Sequence, residues 1–210
     1  MKNLIFKFLF LTILTILITE ITKSVLNLDK LIYSSLSEQL TTQQIEDFLN
    51  LQNKWQWFGY FFAPIMLLIK ITLITSVIYI GIFFFSKKEV SYKILWDIVI
   101  NAEFIFLLVP FFKIIWFYFF QTNYKLEDFQ YFYPISTLNI IGYQGLEPWF
   151  IYPFQILNLF ELAYWLILAF YIGKITQTNM DNGLKIVASS YGAALLLWVV
   201  TIMFFTLNYS

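Results

Sequence analysis

The chain has 210 residues, of which 60% are hydrophobic, 22% aromatic and 12% charged, and its net charge at pH 7 is zero. So few charges cannot cover a soluble surface, and a mean hydropathy of +0.73 makes the bilayer the natural solvent and first partner. A neutral chain has no global field to recruit nucleic acid, and with no Cys, no His and no Arg it lacks thiolate and imidazole metal sites, His-dependent triads and guanidinium clamps.

A helix needs about 20 apolar residues to cross the hydrocarbon core. The first candidate is Leu4 to Ile21, flanked by Lys2 and carrying Lys7. It is close to a signal peptide in pattern, but no small-residue cleavage site follows, so a retained helix over 1–21 is expected. Residues 22–56 form the next unit. Leu28, Ile32, Leu36 and Leu40 recur every four residues, and Thr41 with Gln44 makes a capping box, with Leu40 and Ile45 placed as its staple. Two short amphipathic helices are expected there, outside the membrane, ending near Gln56.

Residues 57–210 are expected to form a four-span bundle. Its spans are Trp57 to Phe85, Ile94 to Phe120, Phe154 to Gly173 and Lys185 to Leu207. The fold class is therefore all-α, a polytopic bundle of about five spans plus a short interfacial or re-entrant half-helix. With the N-terminus inside, the cytoplasmic segments hold Lys2, Lys7, Lys87, Lys88, Lys93, Lys174 and Lys185. The opposite side holds Lys23, Lys30, Lys54 and Lys125, with the acids Glu20, Asp29, Glu38, Glu46, Asp47, Glu127, Asp128 and Glu147. This asymmetry predicts a cytoplasmic N-terminus and an extracytoplasmic C-terminus, with Trp55, Trp57, Trp116 and Trp149 at the outer interface.

Ionisable groups at membrane depth are costly and point to function. The candidates are Lys70, Asp97, Asn101, Glu103, Lys113, Asn158 and Glu161. At a rise of about 1.5 Å per residue, Lys70 and Glu103 match in depth near mid-membrane, and Lys113 and Glu161 match roughly 10 Å below the outer surface. Two interhelical ion pairs are therefore expected. Asp97 and Asn101 share a helix face about one turn inside, within reach of headgroup water. Structural pairing, a proton or ion path, and recognition of a headgroup or peptide all remain open for these groups. An aspartyl protease would need a second membrane Asp, and no Ser is placed beside Lys70 for a Ser-Lys dyad, so no enzyme and no cofactor are expected.

The stretch "FYPISTLNI" beginning at Phe132 is echoed by "IYPFQILNL" beginning at Ile151. Pro suits the first turn of a helix, so Pro134 and Pro153 are expected to start helices, with Tyr133 and Tyr152 at the interface and Asn139 and Asn158 bonding neighbouring helices. The second copy becomes a span, whereas the first, 134–141, stops at Gly142 as a half-helix. Half-helices at membrane depth recur in transporter binding sites. In the last span, Ala188 with Gly192 and Ser189 with Ala193 form a small-residue face suited to close packing within the chain or with a second copy.

The Pro- and Asn-bearing "YPISTLN" and "YPFQILNLFELAYW" stretches, together with the hydrophobic spans, resemble bacterial proteins of the Yip1-like membrane class. The resemblance implies a helical bundle of the bacterial inner membrane that aids trafficking or complex assembly, without a defined catalytic site. It favours a non-enzymatic accessory or scaffold subunit, with other membrane subunits or a second copy as partners. The alternative is a small transporter or channel subunit using Lys70, Glu103 and Glu161.

Overall fold

A computed structural model describes residues 2–37, 39–86 and 88–209, except for the side chain of Lys2. The contributions of Lys2, Glu38 and Lys87 to the charge asymmetry lie outside the described side chains. Helix α1 (Lys2–Val25) is apolar almost throughout. Its threonines fit because each hydroxyl donates to the carbonyl one turn back: Thr12 to Phe8 at 2.9 Å, Thr15 to Leu11 at 2.9 Å, Thr19 to Thr15 at 2.8 Å and Thr22 to Ile18 at 2.7 Å. No hydroxyl is then left bare in hydrocarbon. Asn27, in the left-handed region at φ 49°, turns the chain into α2 (Leu28–Leu36), whose residues all remain at least partly exposed.

The capping box at Thr41 forms, with the Thr41 N–H donating to Gln44 Oε1 at 2.9 Å. The helix it starts does not end near Gln56. Helix α3 runs unbroken over Thr42–Phe85, so the second expected amphipathic helix and the second span are one element. At 1.5 Å per residue its 44 residues measure roughly 66 Å, about twice the hydrocarbon thickness, so the first turns stand clear of it. Ile45 is buried while Leu40 is exposed. The face that α3 presents to the core carries Ile71, Ile74, Thr75, Ile78 and Ile82 at three- and four-residue spacing.

The next span is continuous over Tyr92–Phe120 but changes pitch twice. Helix α4 (Tyr92–Glu103) tightens to a 3-10 stretch at Phe104–Leu107, continues as α5 (Leu108–Ile115) and loosens to a π turn at Trp116–Phe120. Pro110 explains the first change: its ring would collide with the carbonyl four residues back, at Phe106, and it has no N–H to donate. Short α6 (Leu126–Tyr131) and α7 (Thr137–Ile141) follow.

The expected fourth span is divided. Helix α8 covers Pro148–Ile156, α9 covers Leu159–Ile175, and the backbone between them is extended at Asn158. The helix starts at Pro148, and Pro153 lies inside α8 rather than at its beginning. Pro134 likewise precedes its helix. Ile135 takes a left-handed φ of 54°, and α7 begins only at Thr137, five residues instead of the eight expected over 134–141. The last span begins earlier than Lys185: α10 (Met180–Val187), a π turn at Ala188–Gly192 and α11 (Ala193–Tyr209) make one continuous run of 30 residues.

Helices α9 and α10 pack as a tight hairpin. A Cβ on Gly183 would lie 2.0 Å from the Ala169 carbonyl oxygen, so the two backbones meet there directly. Around the hairpin lies one core that includes Ile71, Ile78, Val99, Ile100, Tyr164, Leu168, Ile172 and Val187. The small residues of the last span are partly used inside it: Gly192 meets the Trp165 ring, and Ser190 meets Gly81. Phe83, Phe119 and Leu197 are 75%, 70% and 66% exposed, a surface made for lipid. Four helices are long and apolar enough to cross a membrane, and the α8–α9 segment adds a discontinuous one. Below, the end of the bundle that carries α2 is called the α2 end and the opposite one the α10 end.

Candidate functional site

Mid-bundle, Lys70 of α3 and Glu103 at the end of α4 form the expected pair, with Nζ 2.7 Å from Oε2. The two partners are unequal. The Glu103 side chain is 3% exposed and that of Lys70 45%, with its ammonium 4.5 Å from the centre of the Phe106 ring. The pitch change after Glu103 brings Phe106 to this position, where its other contact is the Tyr164 ring at 5.0 Å. Glu103 Oε1 and the Tyr164 hydroxyl are both buried and closed by no hydrogen bond.

Glu161 extends this cluster. It accepts from the Tyr191 hydroxyl at 2.7 Å and from Trp165 Nε1 at 2.9 Å. Tyr191 packs against Tyr164 with ring centres 5.5 Å apart. The expected Lys113–Glu161 pair is absent. Glu161 instead has two neutral donors, and Lys113 donates to the Phe129 carbonyl at 3.1 Å with its ammonium over the Phe129 ring. The reason is the break before α9. Asn158 restarts the helix, and its first turn aims Glu161 at α10–α11 rather than at α5. The π turn at Ala188–Gly192 then places Tyr191 against it. Among the described residues Lys70 pairs with Glu103 alone, and Glu161 has no cation within 4 Å.

The break itself is built from both copies of the repeated motif. Ser136 and Asn158 face one another in an isolated antiparallel bridge, with the Thr137 N–H donating to the Leu157 carbonyl at 2.9 Å and the Leu159 N–H to the Ile135 carbonyl at 3.2 Å. Each caps a helix. Ser136 Oγ accepts from the Asn139 N–H at 3.2 Å, and Asn158 Oδ1 from the Glu161 N–H at 2.8 Å. Asn158 Nδ2 also donates to the carbonyls of Gln155 and Ile156 at 2.8 and 3.0 Å, so one amide joins the end of α8 to the start of α9. Asn139 is exposed and plays no such part; in the first copy, Ser136 does the work of Asn158. Of the paired tyrosines, Tyr152 accepts from Trp198 Nε1 at 2.9 Å, while the Tyr133 carbonyl accepts from Ser136 Oγ at 2.7 Å.

Nearer the α10 end, Asp97, 37% exposed, also has partners within the chain. Lys7 donates to both of its carboxylate oxygens, at 2.7 and 2.9 Å, and Asn101 Nδ2 reaches Oδ2 at 3.2 Å. Lys7 and Asp97 are each the sixth residue of helices that begin at the same end, so their depths agree. Sequence reasoning placed Lys7 inside the first span and counted it only among the cytoplasmic charges. Tyr164 and Tyr191 were also missed. Trp165, four residues after Glu161 on the same face, was the available signal.

No family model matches the chain, and neither a curated protein nor a solved structure matches it. Fold and site together define a polytopic helical membrane protein with a charged cluster in mid-bundle and a discontinuous helix beside it.

Proposed function

We propose that the protein is a small transporter or channel subunit that carries protons across the membrane through the Lys70, Glu103, Tyr164, Tyr191 and Glu161 cluster. The observation that carries this reading is the charge imbalance: Lys70 pairs with Glu103 alone, Glu161 is held by neutral donors, and Glu103 Oε1 and the Tyr164 hydroxyl are buried without a hydrogen bond. An uncompensated carboxylate in hydrocarbon takes up a proton or a cation. Carboxylates and phenols are proton carriers, and the 3-10 and π stretches are places where a helix changes pitch at low cost. The discontinuous α8–α9 segment places a helix start beside Glu161, an arrangement that recurs in transporters.

The accessory-subunit reading draws its support from α2 and the first turns of α3, where Tyr33, Leu40 and Trp55 are exposed. Its other intended contact, the small-residue face, is occupied within the chain only at Gly192, by Trp165, while Ala188, Ser189 and Ala193 are exposed. On the Lys asymmetry we place the N-terminus in the cytoplasm, the α2 end outside and the protein in a bacterial inner membrane. The two Tyr-Pro stretches are what support a Yip1-like relationship.

Substituted-cysteine mapping tests the reading, since the natural chain has no Cys to react. Glu103→Cys and Glu161→Cys should react with a membrane-impermeant methanethiosulfonate reagent from at least one side. Complete protection of both positions from both sides would favour the accessory role instead.

A further inference from the structure

A second site lies at the α2 end, separate from the charged cluster. A cavity of about 830 Å³ opens there between α1, α2, α3 and α5, within the size range of small-molecule sites. Its walls are largely apolar, from residues such as Ile16, Leu28, Ile32, Ala63 and Val109. Lys113 lines it from the α5 side. Lys7 and Lys70 each hold a carboxylate at 2.7 Å, but Lys113, also inside a spanning helix, has none within 4 Å among the described residues. Its one hydrogen bond, to the Phe129 carbonyl, leaves two ammonium protons unused.

The carboxylate that shares the cavity is otherwise engaged. Glu20 accepts from Gln56 Nε2 at 3.4 Å on both oxygens, and its neighbour Lys23 pairs with Asp29 at 3.3 Å. Lys113 lies seven residues from the end of its span, roughly 10 Å along the helix, so an anion at the headgroup boundary is in reach. We propose that this cavity binds a phospholipid of the adjoining leaflet, with the lipid phosphate on Lys113 and an acyl chain along the apolar wall. A half-buried cation with free donors takes the phosphate, and the apolar lining takes the chain; neither half of the ligand alone satisfies both.

Gly59 supplies the discriminating variant. It lines the cavity, and a Cβ added there meets nothing within 4 Å, so a larger side chain can be started there without a backbone clash. Exchange of a mid-helix glycine also raises helix propensity, so Gly59→Leu should fold at least as well as the natural protein. The full chain, purified in a non-ionic detergent and stripped of lipid, would be titrated with dioctanoyl phosphatidylglycerol, dioctanoylglycerol or inorganic phosphate, and followed by native mass spectrometry. We expect one phosphatidylglycerol bound per chain, with dioctanoylglycerol at least about tenfold weaker for want of one charged hydrogen bond and inorganic phosphate at least about tenfold weaker for want of the buried acyl chain. Lys113→Gln should weaken phosphatidylglycerol by a similar factor and leave dioctanoylglycerol unchanged, while Gly59→Leu should weaken both at an undiminished Tm. Equal phosphatidylglycerol binding in all three proteins would overturn the proposal. So would phosphate binding as tightly as the lipid, which would make the site one for a free anion. Either result leaves the proton-path reading standing, because no cluster residue is altered.

Discussion

Replacing Lys70 by Met strands Glu103. The carboxylate is 3% exposed, its Oε1 is already without a donor, and the 2.7 Å bond from Lys70 is its one ion pair. Removing one partner of a buried pair costs about 3–5 kcal/mol. Lys70 is 45% exposed, so part of its charge is already solvated and the lower end of that range applies, about 3 kcal/mol. Glu103→Gln is milder, about 1 kcal/mol, because it leaves a neutral amide inside and a lysine free to extend along its exposed side. In the double variant Lys70→Met/Glu103→Gln no charge is stranded, so its stability should fall about 1 kcal/mol below that of the natural protein, and the cycle should yield a coupling of about 3 kcal/mol. Reversible unfolding in mixed micelles, or steric trapping in bicelles, measures all four proteins. Additive single effects, with coupling below about 0.5 kcal/mol, would refute the argument that these charges hold one another.

Asn158→Ala should cost about 1–3 kcal/mol, because it removes a helix cap and two donors at one stroke. Asn158→Asp should be the worse of the two, since it keeps the acceptor for the Glu161 N–H but turns a lone pair on the Gln155 and Ile156 carbonyls; thermal unfolding of both variants would reverse this order if the amide served as a cap alone. Gly183→Ala should open the α9–α10 hairpin and lower Tm sharply, because its Cβ would lie 2.0 Å from a backbone oxygen. The Lys7–Asp97 pair is about one-third exposed on both sides, so Lys7→Met should cost no more than about 1 kcal/mol in the same unfolding assay. Outside the membrane, Tyr143 donates to Asp128 Oδ1 at 2.7 Å, which raises its pKa above the ordinary value. Its share of stability is therefore present below pH 10 and lost as pH rises through the raised value, and absorbance titration of Asp128→Asn should show the phenol ionising earlier.

The all-α bundle, the capping box and the Lys70–Glu103 pair were legible because each depends on local pattern or on simple helical rise. Lys113 and Glu161 show where that arithmetic stops. It assumes a continuous helix from residue 154, whereas the bridge at Ser136 and Asn158 ends one helix and starts another, and the restart re-aims Glu161. The bridge depends on two segments about twenty residues apart meeting side by side, which no single-segment periodicity encodes. The motif that seemed to repeat is used in two registers: Ser136, three residues before Asn139, pairs with Asn158. Tyr191 was invisible for a related reason. A π turn changes which face a side chain occupies, and "ASSYG" has no Pro to announce it, its Gly192 reading equally as a packing residue. The long α3 was obscured by composition, since its polar first turns read as a separate surface helix.

The proton-path claim meets its most direct test in sealed proteoliposomes. A potassium gradient with valinomycin sets the membrane potential, and a trapped dye reports internal pH. The natural protein should acidify or alkalinise the interior, according to the sign of the potential, well above protein-free vesicles, and Glu103→Gln and Glu161→Gln should each return the rate to that background while still folding. A natural protein no faster than empty vesicles, or variants as fast as the natural protein, would contradict the account.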